Sequence, residues 1–383
     1  MLHADLGAAA VDEELAAQLG DFVERAARNM NPQHVANSFN ALCKIEEAAA
    51  AVSPVGWKRL AEAVERTASE MKPQEVANTF NALSKLDASA AAVSPAGWVG
   101  LAEAAERTAR EMKPQEIANT LNALNKLEAA AAVVSPTGWA GLAEVAERTT
   151  REMTPQGVSN SLNALCKLEA AAAAVSPTGW AGLAEAVERT AREMIPQDIG
   201  ISLNALSKLE AAAAAVSPMG WAGLAGAVER TTREMKPQHV GNTLNALSKL
   251  KAVAAAVSPM GWAGLAEAAE RTASEMKPQE VANTLNALCK LEAAAAAVSP
   301  TGWAGLAEAV ERTASQMNDQ NVANTLHALG LLPAAATVLS PSARKHLEAA
   351  AEREASNMTS GGRDMTRRGC EKLKLKIPSA LSE

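Results

Sequence analysis

The chain repeats a 41-residue unit along almost its whole length. Seven prolines, each followed by glutamine, lie 41 residues apart at Pro32, Pro73, Pro114, Pro155, Pro196, Pro237 and Pro278, and Asp319 continues the series. A second string, Ser-Pro-x-Gly-Trp, recurs at the same interval and contains every Trp of the chain: Trp57, Trp98, Trp139, Trp180, Trp221, Trp262 and Trp303. A period of this length predicts a solenoid, in which each unit packs against its neighbours.

The period also predicts the domain organisation. Residues 1–31 form an N-terminal half repeat, because Phe22 to Met30 match the end of the later units. Residues 32–359 contain eight 41-residue repeats. Residues 360–383 hold six Lys or Arg against three acidic residues, and we expect a flexible basic tail in which Cys370 is an exposed thiol.

Each repeat has the pattern of two helices. In the second repeat, Pro73 suits a first helical position, and apolar residues follow at helical spacing from Val76 to Leu86. Ser94 and Pro95 then form a second helix start, followed by an apolar face that includes Trp98. We also expect helix in the Ala-rich segment between them. The fold class is therefore all-α, a right-handed α-solenoid of tandem 41-residue helix-turn-helix repeats, with the Trp residues as structural packing groups.

Composition agrees with this fold and excludes several functions. Only 3% of residues are aromatic, which favours helices packed through small side chains. No apolar stretch is long enough for a membrane span, and the N-terminus lacks the pattern of a secretory signal. Cys43, Cys166 and Cys289 are three repeats apart, too far for disulfides. We therefore expect a cytoplasmic protein without membrane insertion.

Catalytic and metal-binding patterns are not found in the sequence. The five His residues never fall at catalytic or metal-ligand spacing, and neither a nucleophile elbow nor a phosphate-binding glycine loop is present. The sequence therefore predicts a protein that is not an enzyme and that uses no metal and no small-molecule cofactor.

A polar stripe opposite the apolar stripe is the candidate binding site. Gln74, Asn78, Asn81 and Lys85 share one side of their helix, and the pattern recurs in the other repeats. The candidate residues on this concave face are Asn78, Asn81, Lys85, Asn119, Asn122, Lys126, Asn160, Asn163, Lys167, Lys208, Asn242, Asn245 and Lys249. The Asn rows could be amide donors and acceptors for an extended ligand, or hydrogen-bonded locks between repeats. The Lys row is the better ligand candidate.

Two further patterns have two interpretations each. Glu103 with Arg107, and Glu106 with Arg110, are spaced as ion pairs of an exposed helix or as a charged docking face. Two positions vary between repeats, one containing Cys43 and Ser84, the other His34 and Glu75. Such variation could be a one-repeat-one-base code for RNA, or simple packing of small residues.

The strings from Val76 to Lys85 and from Val281 to Lys290 resemble the repeats of the SKWP (XopAD-type) type III effectors of plant-pathogenic bacteria. This resemblance implies a HEAT/armadillo-like array that is secreted into a host cell and acts in virulence. The Ser-Lys-Trp-Pro signature itself stands here as Ser84-Lys85-Leu86-Asp87. An Asn-x-Leu-x-Ala-Leu-x-Lys-Leu core is also similar to the octotricopeptide repeats of RNA-binding proteins.

Three functional hypotheses follow. The leading one is a non-enzymatic scaffold that binds a protein partner through its concave face. The second is an RNA-binding repeat protein, which the Lys row favours, although the net charge is −7 and stacking aromatics are scarce. The third is a spacer fragment of a larger protein.

Overall fold

The computed structural model describes residues 13–381, and within this range all regular structure is helical. The fold is all-α and of the α-solenoid type, with tandem helical repeats. Each repeat contains an 11-residue helix, a short helix and a 14-residue helix. A 3₁₀ turn follows the 14-residue helix in every repeat except the last. We call the three helices the asparagine helix, the alanine helix and the tryptophan helix. The Ala-rich segment is thus helical as expected, but it forms a separate third helix.

The asparagine helices are Pro32–Leu42, Pro73–Leu83, Pro114–Leu124, Pro155–Leu165, Pro196–Leu206, Pro237–Leu247, Pro278–Leu288 and Asp319–Leu329. The alanine helices are Glu46–Ala51, Asp87–Ala92, Glu128–Ala131, Glu169–Ala174, Glu210–Ala215, Lys251–Ala256, Glu292–Ala297 and Pro333–Thr337. The tryptophan helices are Pro54–Thr67, Pro95–Thr108, Pro136–Thr149, Pro177–Thr190, Pro218–Thr231, Pro259–Thr272, Pro300–Thr313 and Pro341–Glu354. One helix precedes the repeats, Glu13–Ala26, and one follows them, Ser360–Leu373.

The 3₁₀ turns are Ala27–Asn29, Ala68–Glu70, Ala109–Glu111, Thr150–Glu152, Ala191–Glu193, Thr232–Glu234, Ala273–Glu275 and Ala314–Gln316, with a last one at Ser379–Leu381. None of the helices between residues 13 and 381 is long and apolar enough to cross a membrane.

Local sequence sets the helix boundaries. The Ser94 hydroxyl accepts a hydrogen bond from the backbone N–H of Gly97 at 2.9 Å, which satisfies a donor that the helix leaves unpaired. Pro95 occupies the first turn, where its missing N–H costs nothing. The asparagine helix of the same repeat ends at Leu83, and Leu86 leaves helical geometry with φ −117° and ψ 84°. These signals recur in register and therefore produce the same three helices in each repeat.

The core consists of the apolar stripes of the three helices. In the second repeat Val76, Phe80 and Leu101 are fully buried. All seven Trp side chains are buried, with 5–8% of their surface exposed. At about 25 cal/mol per Å², each buried aromatic ring contributes several kcal/mol of transfer free energy.

The chain divides into two compact units, residues 1–183 and residues 184–383. In the first unit, helix Glu13–Ala26 precedes the repeats at the position of a tryptophan helix, and each asparagine helix contacts the next one. In the second unit, the asparagine helices again pack on one another, and helix Ser360–Leu373 packs on the last of them.

The C-terminal segment differs from the flexible tail that the sequence led us to expect. Ser360 lies 41 residues after Asp319, so helix Ser360–Leu373 occupies the place of a ninth asparagine helix. Thr359 caps it by accepting from the N–H of Gly362 at 3.2 Å. The hydroxyl of Thr366 donates to Met358 Sδ, as Thr325 does to Met317 Sδ one repeat earlier.

Cys370 is buried in this helix, so the expectation of an exposed thiol is wrong. The reason is a close helix–helix contact at the neighbouring Gly369. A Cβ atom on Gly369 would lie 2.6 Å from the carbonyl carbon and oxygen of Leu326, so only glycine allows this approach. Cys370 itself lies 41 residues after Leu329, at the position of a buried Leu in the preceding asparagine helix.

Candidate binding face

The asparagine helices carry the polar stripe that the sequence singled out, and we call this surface the Asn–Lys face. The Asn side chains on it are half-buried: Asn78, Asn81, Asn119, Asn122, Asn160, Asn163, Asn242 and Asn245. The Lys side chains at the helix ends are exposed: Lys85, Lys126, Lys167, Lys208 and Lys249. Repeat 5 interrupts the first Asn row, because Ile201 stands where the other repeats have Asn.

The Asn amides do not lock neighbouring repeats together. Within the residues that the structure describes, no hydrogen bond involves the side-chain amides of those eight Asn residues. Two other amides, Asn125 directly after its asparagine helix and Asn286 within one, have a buried carbonyl oxygen without a hydrogen-bond partner. A buried polar group without a partner costs about 1–3 kcal/mol. The amides are therefore donors and acceptors that remain available to a ligand.

The Lys residues of adjacent repeats are close enough to affect one another. Burial, then the charges of Lys85 and Lys167, lower the pKa of Lys126 in the first unit. Burial, then Lys208 and Lys290, lower the pKa of Lys249 in the second unit. No carboxylate contributes to either shift. Each unit therefore carries a row of like charges that an anionic ligand would neutralise.

The row in the second unit extends onto the C-terminal helix. Burial lowers the pKa of His327, and so do the charges of Lys290, Lys372 and Arg368. Lys372 lies at the Lys position of the ninth asparagine helix, two periods after Lys290. Sequence reasoning missed this extension, although the continuing 41-residue period could have revealed it.

A cavity of about 390 Å³ opens on the Asn–Lys face of the first unit. Gln115 and Asn119 line it from repeat 3, and Gln156 and Asn160 line it from repeat 4. Gly157 lies in its wall, at a position where other repeats have a larger side chain. The cavity therefore presents four amide side chains around one opening.

The first of the two variable positions caps helix ends. The Ser84 hydroxyl donates to the carbonyl oxygen of Asn81 at 2.9 Å, and Cys43, Cys166 and Cys289 do the same through sulfur. Cys and Ser make the same hydrogen bond here, which accounts for their exchange in six repeats, whereas Asn125 and Gly330 stand at this position in the other two.

The second variable position caps helix starts, and its residue depends on the residue three places earlier. Where that residue is Lys72, Lys113 or Lys277, a Glu side chain accepts from its backbone N–H. Where that residue is Asn31, Thr154 or Asn318, its own side chain caps the helix and the later position is free of this role. One acceptor per helix start explains the variation without a base code.

Side chains of the tryptophan helices form hydrogen bonds that join neighbouring repeats. Arg107 donates to the carbonyl oxygens of Ala68 and Met71 in the preceding repeat, at 3.2 and 3.0 Å. Glu106 accepts from Ser135 in the following repeat. Equivalent Arg contacts are made by Arg66, Arg230, Arg271, Arg312 and Arg353. The expected ion pairs of Glu103 with Arg107 and of Glu106 with Arg110 are not formed, because Glu106 and Arg107 bind neighbouring repeats instead.

This arrangement explains the glycine of Ser-Pro-x-Gly-Trp. A Cβ atom on Gly138 would lie 2.4 Å from the side chain of Glu106. The motif therefore combines a helix cap, a proline start and the space for a Glu of the preceding repeat.

The part of the chain between residues 13 and 381 contains no group of three or more His, Cys, Asp or Glu arranged to hold a metal ion.

Comparisons with known proteins give distant similarities. The model of a family described as protein of unknown function (DUF1601) matches residues 12–39, 58–80, 100–121, 252–285 and 305–326. Comparison with curated protein sequences gives no match. Five matches of one family model within the chain agree with a helical-repeat protein. They give no support to the resemblance to the SKWP effectors.

Two solved structures are similar over most of the chain. One is a homology model of the full-length AP-3 complex in an intermediate open conformation, at 10% identity and TM-score 0.30, covering 94% of this chain and 82% of that one. The other is the pentatricopeptide repeat protein PPR10 from maize, at 12% identity and TM-score 0.17, covering 95% and 69%. At these TM-scores neither similarity carries an argument about function.

Proposed function

We propose that the protein is a non-enzymatic helical-repeat scaffold that binds an extended acidic segment of a protein partner along the Asn–Lys face. One observation carries the proposal: rows of half-buried Asn amides without hydrogen-bond partners run beside rows of mutually repelling Lys residues.

An extended acidic peptide carries the groups that can pair with both the Asn row and the Lys row. Its backbone offers one N–H donor and one C=O acceptor per residue, and an Asn amide can pair with both. Acidic side chains of the same peptide would neutralise the Lys row and relieve the repulsion that, together with the larger effect of burial, lowers the pKa of Lys126 and Lys249.

The location of the aromatic residues, away from the Asn–Lys face, favours a protein partner over single-stranded RNA. Bases are held largely by stacking on aromatic side chains. All seven Trp residues are buried, as are Phe39 and Phe80, and Phe22 lies on the helix before the repeats. The Asn–Lys face thus has no stacking platform. RNA remains the second candidate because the Lys rows would also suit a phosphate backbone.

The identity of the partner rests on the resemblance of the repeats alone. Under the resemblance to SKWP effectors, the partner is a host protein that the chain meets after type III secretion.

A binding titration tests the proposal. A fluorescein-labelled 15-residue peptide of alternating Glu and Ser is compared with its Gln counterpart and with a 15-nucleotide oligouridine. We expect the acidic peptide to bind best. The double variants Lys126→Ala/Lys167→Ala and Asn119→Ala/Asn160→Ala should each weaken it at least tenfold.

Lys58→Ala is the matched control, because Lys58 is an exposed Lys on a tryptophan helix, away from the face. Tighter binding of oligouridine would move the RNA hypothesis to first place. Binding of neither probe, or equal binding by all variants, would contradict the proposal and favour the spacer hypothesis.

A further inference from the structure

A second cavity, of about 690 Å³, lies on the tryptophan helices of repeats 4 and 5, away from the Asn–Lys face. Its wall contains three guanidinium groups, those of Arg189, Arg192 and Arg230, and one carboxylate, that of Glu188. Its volume lies within the range of small-molecule sites, about 300–1,000 Å³.

A single sequence difference accounts for this cavity. Six repeats have Glu at one position of the tryptophan helix, namely Glu62, Glu103, Glu144, Glu185, Glu267 and Glu308, whereas repeat 5 has Gly226. No side chain occupies the space beside Gly226, since a Cβ atom there would meet nothing within 4 Å.

The next repeat provides an internal comparison. The equivalent cavity one period later measures about 230 Å³, and Glu267 lines it together with Arg233 and Arg271. Arg192 and Arg230 of the larger cavity correspond to Arg233 and Arg271 of the smaller one, and the Glu is missing only in the larger one. Absence of that side chain leaves space and removes one negative charge from the wall.

The charge of the larger cavity is unbalanced. Glu188 is engaged, because it accepts a hydrogen bond from the backbone N–H of Ser217 at 2.9 Å. Arg230 uses one nitrogen on the carbonyl oxygen of Met194, at 2.9 Å. Arg192 is exposed and makes no hydrogen bond in the structure. The four charged groups leave a formal charge of +2 in the wall.

We propose that this cavity binds a small organic phosphomonoester, with the phosphate held by Arg192 and Arg230 in the space that Gly226 leaves open. Guanidinium groups bind phosphate through paired, charge-assisted hydrogen bonds. A phosphomonoester carries about two negative charges at neutral pH, which matches the wall. Met219, which is 79% exposed, and Ala222 provide an apolar surface for the organic group.

Methionine methyl NMR with phenyl phosphate as the probe tests the site. The ¹³C-methyl signal of Met219 should shift on titration, whereas Met260 at the equivalent place beside Glu267 should not. Calorimetry should give one site per chain, additional to any binding at the Lys rows. The variants Gly226→Glu and Arg192→Ala should weaken this site at least tenfold.

Three further variants separate charge from shape and from folding. Gly226→Ala favours the helix and fills little space, so binding should be retained. Gly226→Gln has the shape of Glu without its charge and should weaken binding less than Gly226→Glu. Glu267→Gly should create a second site and shift the signal of Met260.

A second titration, with a phosphotyrosine peptide, identifies the source of the phosphate. If the natural ligand is a modified protein, a peptide with phosphotyrosine flanked by neutral residues should bind more tightly than phenyl phosphate. If the natural ligand is a free molecule, the peptide should bind no more tightly. An unmoved Met219 signal, or equal binding by Gly226→Glu and wild type, would overturn the proposal.

Discussion

Glu106 accepts hydrogen bonds from both the backbone N–H and the hydroxyl of Ser135, at 2.8 and 2.9 Å, across 29 residues of sequence. Because the Ser135 hydroxyl also accepts from Gly138 N–H, the carboxylate orients the cap of the next tryptophan helix. Glu147 makes the same pair of contacts with Ser176. The stack is therefore joined through helix starts, with each repeat completing the cap of the next.

Glu106→Ala should weaken the junction between repeats 2 and 3 by about 1–2 kcal/mol, since it removes two hydrogen bonds and leaves the cap unsupported. Hydrogen exchange of helix Pro136–Thr149 measures the effect locally, which suits a repeat protein that need not unfold in one step. Glu103→Ala is the control, because Glu103 is exposed on the same helix and makes no such contact. Equal exchange in the two variants would contradict the assignment.

The local part of the fold could be predicted from the sequence, and the contacts between repeats could not. Pro73 and Ser94 signal helix starts because a cap acts within four residues. Glu106 and Ser135 are far apart in sequence, so their pairing becomes visible only when the repeats are stacked. The same Glu103 to Arg110 segment predicted ion pairs within one helix, and the stacked repeats offer its Glu106 and Arg107 better-placed partners.

The C-terminal helix could have been found from the period. Thr359, Thr366 and Lys372 each lie at the spacing of an equivalent residue in earlier repeats. The altered composition hid them, because Arg363, Arg367 and Arg368 replace the usual apolar and Asn residues.

Gly369→Ala should separate the C-terminal helix from the last asparagine helix, because the new methyl group would overlap the backbone of Leu326. Thiol labelling of Cys370 reports the change. Burial, with Glu348 and Glu371 nearby, raises the pKa of the Cys370 thiol to about 11, so the native protein should label about 100-fold more slowly at pH 8 than an ordinary thiol. The variant should approach the ordinary rate.

Gly361→Ala in the same helix should keep the slow rate, since a Cβ atom there meets nothing within 4 Å. Fast labelling of Cys370 in the wild-type protein would show that the helix is not docked.

Acid should destabilise the end of the second unit through His327. Its pKa in the folded protein is lowered by burial and by Lys290, Lys372 and Arg368, so the folded state resists protonation more than the unfolded state does. Stability is therefore complete above the ordinary His pKa of 6.5 and decreases as the pH falls below it. The thermal midpoint should fall more between pH 7.5 and 5.5 for wild type than for His327→Asn, which restores the residue of the other repeats. The remaining His residues are common to both proteins, so identical pH profiles would exclude His327 as the cause.

The salt dependence of binding separates the two candidate ligands of the Asn–Lys face. Each phosphate of a single-stranded nucleic acid that a Lys neutralises contributes about −0.7 to the slope of log K against log salt. The first unit has four Lys residues in its row, Lys44, Lys85, Lys126 and Lys167, so oligouridine held by all four should give a slope of about −3.

An acidic peptide has no comparable layer of condensed counterions, and much of its binding would come from hydrogen bonds to the Asn amides. We therefore expect a shallower slope for the peptide, with Asn119→Ala/Asn160→Ala lowering its affinity at every salt concentration while leaving the slope unchanged. A steep slope for the peptide that the Asn variant does not affect would show that the Lys row alone holds the ligand and that the amides take no part.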